Sequence, residues 1–159
     1  MIETPQVAET EPQHYASLHL TVPREEIRTV MGPGVREVYS AIAAQGIAPS
    51  GRWFTHHFKR PGEVFDFEIC VPVSRPIVAS GRVEPAVWPG MKVARTIYHG
   101  DYDKGEHEGL AGAWPKFLCW IAEMRFNSTD DLWERYIVGP ETSSNPADWR
   151  TELIRPLID

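Results

Sequence analysis

One pattern occurs twice in this chain, and it constrains the fold more than any other feature. FDFEICVPV (Phe65 to Val73) and WRTELIRPL (Trp149 to Leu157) both place an aliphatic residue after a glutamate, then two further residues, then proline and another aliphatic residue. Glu68, Ile69, Pro72 and Val73 fill the first copy; Glu152, Leu153, Pro156 and Leu157 fill the second, 84 positions later. Proline cannot donate to a sheet ladder, so both stretches read as strands that end at an edge or terminus. A repeat this far apart in 159 residues points to two similar halves.

The rest of the chain can be laid on that frame. Residues 14 to 22 alternate, with Ala16, Leu18, Leu20 and Val22 on one side of a strand. Val35, Val38, Tyr39 and Ile42 recur at helical spacing, with Pro33 near the start and Gly46 just past the end. Residues 52 to 59 and 64 to 73 are strand-like and joined by RPGE, which favours an antiparallel hairpin. The second half repeats the order. KVARTIYH (92 to 99) is a strand, and Leu110, Ala113, Trp114, Phe117, Ile121 and Met124 mark a helix with Pro115 in its first turn. LWERYIV (132 to 138) and RTELIRPL close the unit. The expected architecture is α+β: one domain over 1–159, built of duplicated βαββ units (about 13–74 and 90–158) related by a pseudo-twofold axis. Each unit has antiparallel strands and one long helix, with a ligand cleft between the halves. Residues 1–12, rich in Glu, Thr, Pro and Gln, are expected to fray.

Composition excludes several classes of function. The formal charge of −6, without a basic cluster, argues against nucleic acid as a partner. No apolar run approaches the ~20 residues that span a bilayer, and the acidic start lacks a signal peptide's apolar segment. Cys70 and Cys119 fall in a strand-like and a helix-like stretch and are read as buried, reduced thiols of a cytoplasmic protein.

YHGDY (Tyr98 to Tyr102), LAGAWPKFLCWIAE, LWERYIVGPE and PADWRTELIRPL, in that order and spacing, resemble the gyrase-inhibitor-like (GyrI-like) small-molecule-binding domain family. That family also forms the effector-binding domain of bacterial multidrug-responsive transcription activators. The resemblance spans nearly the whole chain and is strongest from about Val93 onward. It implies a cleft lined by aromatics and a carboxylate. No helix-turn-helix segment precedes the domain, so the chain reads as a stand-alone member.

Glu134 is the leading candidate for that carboxylate, since it stands in a strand between Trp133 and Tyr136 and falls on the family's W-E-x-Y position. An acid among aromatics can pair with a lipophilic cation, or shuttle protons if desolvation raises its pKa. The alternative is an edge-strand glutamate facing water. Tyr98 is a second catalytic or binding candidate, weighed against a core tyrosine with its hydroxyl at the rim. Trp53 and Trp133 open equivalent elements, which places Phe54 and His56 opposite Glu134 and Tyr136 by pseudo-symmetry. His56 and His57 are adjacent in a strand and point to opposite faces, so only one of them can enter a site. Trp114 belongs either to the helix's apolar arc or, standing at the helix start, to the pocket. Trp88, in VEPAVWPG, is read as part of a lid or as a surface-loop anchor, and Trp149 as a packing residue. Glu68 and Glu152, because they repeat, are assigned to the fold and left out of the site.

His99, Asp101, Asp103, Glu106, His107 and Glu108 crowd one segment and are candidate metal ligands. DYDKG opens like a calcium loop, but its glycine is one place early and Gly112 stands where the closing glutamate belongs, so no metal and no cofactor is assigned. Neither G-x-S-x-G nor a P-loop is present. Two classes of function are left. The first is a module that captures lipophilic, aromatic or cationic compounds. The second, implied by enzymes of the resembled family, is a hydrolase of cyclopropane-bearing electrophiles in which Glu134 and a hydroxyl of Tyr98 or Tyr136 activate water. A protein partner bound through the acidic surface is a third possibility.

Overall fold

A computed structural model of the chain describes residues 1–102 and 109–158. In order they form β1 (Gln6–Glu9), β2 (Gln13–Pro23), α1 (Ile27–Ala44), β3 (Phe54–His57), β4 (Val64–Pro72), β5 (Val83–Trp88) and β6 (Lys92–His99). There follow α2 (Gly109–Glu123), β7 (Asn127–Ser128), β8 (Leu132–Val138) and β9 (Arg150–Ile158). The residues divide into two compact units. One holds 10–90 with 130–132, and the other holds 1–9, 91–129 and 133 to the C-terminal end.

The first of these units is an antiparallel sheet in the order β3, β4, β2, β5. The RPGE hairpin forms as the sequence predicts, pairing Phe54 with Cys70 and His57 with Phe67. Cross-strand partners share a face, so the register sorts every side chain. Ala16, Leu18, Leu20, Phe67, Ile69 and Val71 lie on one face and pack with Val38 and Ile42 of α1 into the core. Gly34 permits this close approach: a Cβ there would stand 2.6 Å from Cδ1 of Ile69. The opposite face carries Tyr15, Ser17, Phe54, His56, Glu68 and Cys70.

The second unit is an antiparallel sheet in the order β1, β6, β9, β8, with β7 also on β9. Tyr98, Thr151 and Tyr136 stand in register across it, and so do Thr96, Leu153 and Glu134. These six are buried on one face. The other face carries Arg95, Glu152 and Arg135, with Ile97, Ile154 and Trp133 beside them.

Several expectations need correction. Residues 1–12 do not fray throughout: β1 pairs with β6, and His99 N–H donates to the Met1 carbonyl at 2.9 Å. Backbone pairing supplies there what the polar composition did not advertise. Pro33 and Pro115 lie inside their helices rather than in the first turn. Both face outward, and the residues four places earlier, Thr29 and Ala111, are exposed, so water can reach the carbonyls that proline leaves without a donor. VEPAVW is a strand, β5, paired with β2, so Trp88 sits buried at a sheet edge and is neither lid nor surface anchor. Cys70 is buried as expected, but Cys119 is exposed, because its position on α2 turns away from the buried Phe117 and Ile121. Among the described residues no helix is long and apolar enough to cross a membrane.

Candidate functional site

Glu134 and Tyr136 lie two residues apart on β8 and therefore on one face of it. The Tyr136 hydroxyl donates to Glu134 Oε1 at 2.8 Å, and Trp114 Nε1–H of α2 donates to Oε2 at 2.8 Å. The residue is only 7 % exposed. Burial of a carboxylate is costly unless donors meet its oxygens, and here one aromatic side chain meets each. Both of these donors are neutral groups that orient the side chain. Around this core the Tyr102 ring meets Tyr136 edge-on at 5.8 Å and lies 4.8 Å from Trp149, and Trp114 lies 5.7 Å from Phe117. The Trp149 ring is fixed by its indole N–H donating to the Ser143 carbonyl at 2.9 Å.

Of the residues the sequence singles out, Glu134, Tyr136 and Trp114 are thus brought together. Tyr98 shares their sheet face, and its hydroxyl donates to the Asp101 carbonyl at 2.7 Å, beside Gly100, whose φ of +129° suits glycine. Trp133 is buried on the opposite face of β8, because neighbouring strand residues alternate. Trp53 packs against the core beneath α1. Tyr102, which sits in a loop string, and Trp149, read from the sequence as packing, join the same aromatic group through their ring contacts. Of the segment weighed for metal, 103–108 lies outside the described residues, while His99 pairs with Glu3 at 2.5 Å. No group of three His, Cys, Asp or Glu among the described residues is arranged to hold a metal ion.

Phe54, His56 and Trp88 belong to a second cluster, in the other unit. His56 Nε2 meets Asp131 Oδ2 at 2.7 Å and Nδ1 meets Glu68 Oε1 at 3.3 Å. Burial alone would lower the imidazole pKa, but the hydrogen bonds to Asp131 and Glu68 outweigh it and the net shift is upward. Glu68 mirrors this: burial pushes it up, and the bonds from His56 and Tyr15 bring it below the usual value. The Tyr15 hydroxyl donates to the same Oε1 at 2.7 Å and the Cys70 thiol approaches it at 3.6 Å. Tyr15 and Cys70 are both pushed up, first by burial and then by neighbouring charges. Phe54 stands edge-on to Tyr15 at 5.6 Å and 5.5 Å from Trp88. Glu68 was assigned to the fold alone. Its strand parity, shared with Cys70 and opposite to the core residues Phe67 and Ile69, was the signal that it faces elsewhere.

The fold is that of a small-molecule-binding domain. The profile of the GyrI-like small molecule binding domain family matches residues 3–158, and the chain belongs to that family. No curated protein sequence matches it. Among solved structures it resembles the EcmrR C-terminal domain, with 22 % identity and a TM-score of 0.84 over 98 % of each chain. It also resembles EcmrR in a DNA-bound transcription complex, with 22 % identity, a TM-score of 0.83 and 97 % of this chain covered. The chain spans 57 % of that longer protein. More distant in sequence, at 10 % identity, is SAV2435 bound to tetraphenylphosphonium, with a TM-score of 0.59 over 98 % of this chain and 94 % of that one. A hydrolase from Listeria innocua shares 9 % identity, with a TM-score of 0.63 over 97 % and 91 %.

Proposed function

We propose that this chain captures lipophilic, aromatic cations, with Glu134 as the charged anchor, Tyr102, Tyr136, Trp114 and Trp149 as the aromatic company, and sequestration or effector sensing in the cytoplasm as its role. The observation that carries the reading is the buried Glu134 side chain, fixed at 2.8 Å by Tyr136 and at 2.8 Å by Trp114. A cation with a spread apolar body gains both from the carboxylate and from the electron-rich ring faces. The fold of SAV2435, solved with tetraphenylphosphonium, lends support. The reading of the chain as a duplicated βαββ domain is supported by the matching orders β2, α1, β3, β4 and β6, α2, β8, β9.

Calorimetric titration with tetraphenylphosphonium tests it, with neutral triphenylphosphine oxide as control. Glu134→Gln keeps the shape and removes the charge, and it should weaken the cation by about thirty-fold, some 2 kcal/mol, while sparing the neutral ligand. Equal affinity of wild type and variant for the cation sinks the reading. Hydrolysis is a second reading, favoured by the Tyr136 hydroxyl at hydrogen-bond distance from the carboxylate, a pair suited to holding and deprotonating water. Mass spectrometry after incubation with cyclopropane-bearing electrophiles decides it, since added water marks turnover and bound mass alone marks capture.

A further inference from the structure

The outward side of α2 borders a groove in which Glu134 has no part. Lys116, Cys119, Trp120 and Glu123 stand at i, i+3, i+4 and i+7, so they form one stripe of the helix, turned away from the buried Trp114, Phe117 and Ile121. This stripe and Pro115 make one wall of the groove and residues 2–5 make the other, around a volume of about 630 Å³. Small-molecule sites have that size. The wall formed by residues 2–5 is fastened to β6. Glu3 N–H donates to the Ile97 carbonyl at 2.9 Å, the Thr96 hydroxyl donates to the Glu3 carbonyl at 2.7 Å, and the Glu3 carboxylate meets the His99 ring at 2.5 Å. On the helical wall the Trp120 ring lies 6.0 Å from Phe126.

The charges along the helical wall state what kind of molecule fits. Ile2, Pro5, Pro115 and Trp120 give the groove apolar surface, while Lys116 and Glu123 stand two turns apart, about 10 Å along the axis. Both are exposed, and among the described residues neither has an ion-pair partner; Arg125, two places past Glu123, does not pair with it. Glu3, by contrast, is engaged by His99. Glu123 is also the last residue of α2, at the negative end of the helix dipole, and no basic residue stands in that last turn. Its own helix disfavours a carboxylate there, so a bound cation gains from the side chain and from the helix end together. The complement of this wall is an apolar body with an ammonium toward Glu123 and a carboxylate toward Lys116. We infer that the groove is a second ligand site, which takes aromatic zwitterions carrying an amine at one end and a carboxylate at the other. It does not rest on the reading of Glu134 as a cation anchor.

Calorimetric titration of 4′-(aminomethyl)biphenyl-4-carboxylate into the full chain tests this. Its methyl ester keeps only the cation and its N-acetyl derivative keeps only the anion. The zwitterion should bind about three- to fivefold more tightly than either control, the worth of one exposed charge contact. Lys116→Met should abolish its advantage over the ester, and Glu123→Gln its advantage over the N-acetyl derivative. Both side chains are exposed on a helix, so neither exchange touches the core. Cys119 lies between the two charges on the same wall and reports where the probe sits. Saturating zwitterion should slow its alkylation by iodoacetamide, read by mass spectrometry with the buried Cys70 as internal reference. An aromatic cation held at Glu134 would leave Cys119 reactive. Equal binding of all three probes, no binding of the zwitterion, unchanged preferences in the two variants, or Cys119 alkylated at its unliganded rate overturns the inference.

Discussion

Protonated His56 sits between two carboxylates, and its titration sets a pH window for the stability of its unit. Its folded pKa is raised from an ordinary 6.5, so its contribution is complete below 6.5 and is lost as the pH climbs through the raised value. The Glu68 pKa is lowered from 4.5, so its contribution is complete above 4.5 and is lost as the pH falls through the lowered value. The cluster therefore stabilises most between 4.5 and 6.5. Tyr15 and Cys70 stay neutral across that range, since burial first and then nearby charge push both upward. His56→Gln should flatten the alkaline limb of melting temperature against pH and cost about 1–3 kcal/mol at pH 6, because it removes the imidazolium that faces both carboxylates. An unchanged alkaline slope would assign that limb to other groups. Chemistry at this scale was half legible in the sequence. Glu134 and Tyr136 are near neighbours on one strand, so their pairing could be read. The Asp131 partner of His56 lies 75 positions away, and no local pattern announces it.

Among the elements, the helices and six strands, β2, β3, β4, β6, β8 and β9, were legible from their apolar periods and the RPGE turn, and β1, β5 and β7 were not. β1 and β5 are held by backbone pairing to β6 and β2 and have little apolar alternation of their own, so only tertiary context reveals them. The helix starts were misplaced for a related reason: proline was read as a first-turn marker, while α1 begins six residues before Pro33. Gly34 shows what the helix of the first unit requires. Alanine there would gain about 1 kcal/mol of helix propensity, yet its Cβ would sit 2.6 Å from Cδ1 of the fully buried Ile69. Overpacking should prevail, with a net loss of about 1–2 kcal/mol in urea unfolding. Gly46 is the control. It follows α1 at φ +67° with nothing within 4 Å of a Cβ, so alanine should cost about 1 kcal/mol through backbone strain alone. If Gly34→Ala proves stabilising, the helix has room to lift from the sheet.

Across the whole molecule, the repeat that first suggested two similar halves also shows where they differ. The shared glutamate falls on the sheet face opposite the Leu18 core in one unit and, in the other, on the face opposite Glu134, so a common backbone pattern sets its direction in each. What surrounds it is a matter of single substitutions that the repeat does not carry. Where one unit has His56 and Tyr15 the other supplies Arg95 and Arg135, and no reading of the pattern alone could tell a carboxylate held by guanidiniums from one held by an imidazole and a phenol. This contrast predicts different phenotypes for one chemical change. Glu152→Gln removes the charge between two arginines, and because both guanidiniums keep some solvent it should cost about 1–2 kcal/mol in urea unfolding. Glu68→Gln, which also takes a carboxylate away from His56, should in addition flatten the alkaline limb of melting temperature against pH. An alkaline slope in Glu68→Gln equal to that of wild type would mean that Glu68 does not hold the imidazolium, and that the difference in bonding between the two glutamates has no consequence for the pH dependence.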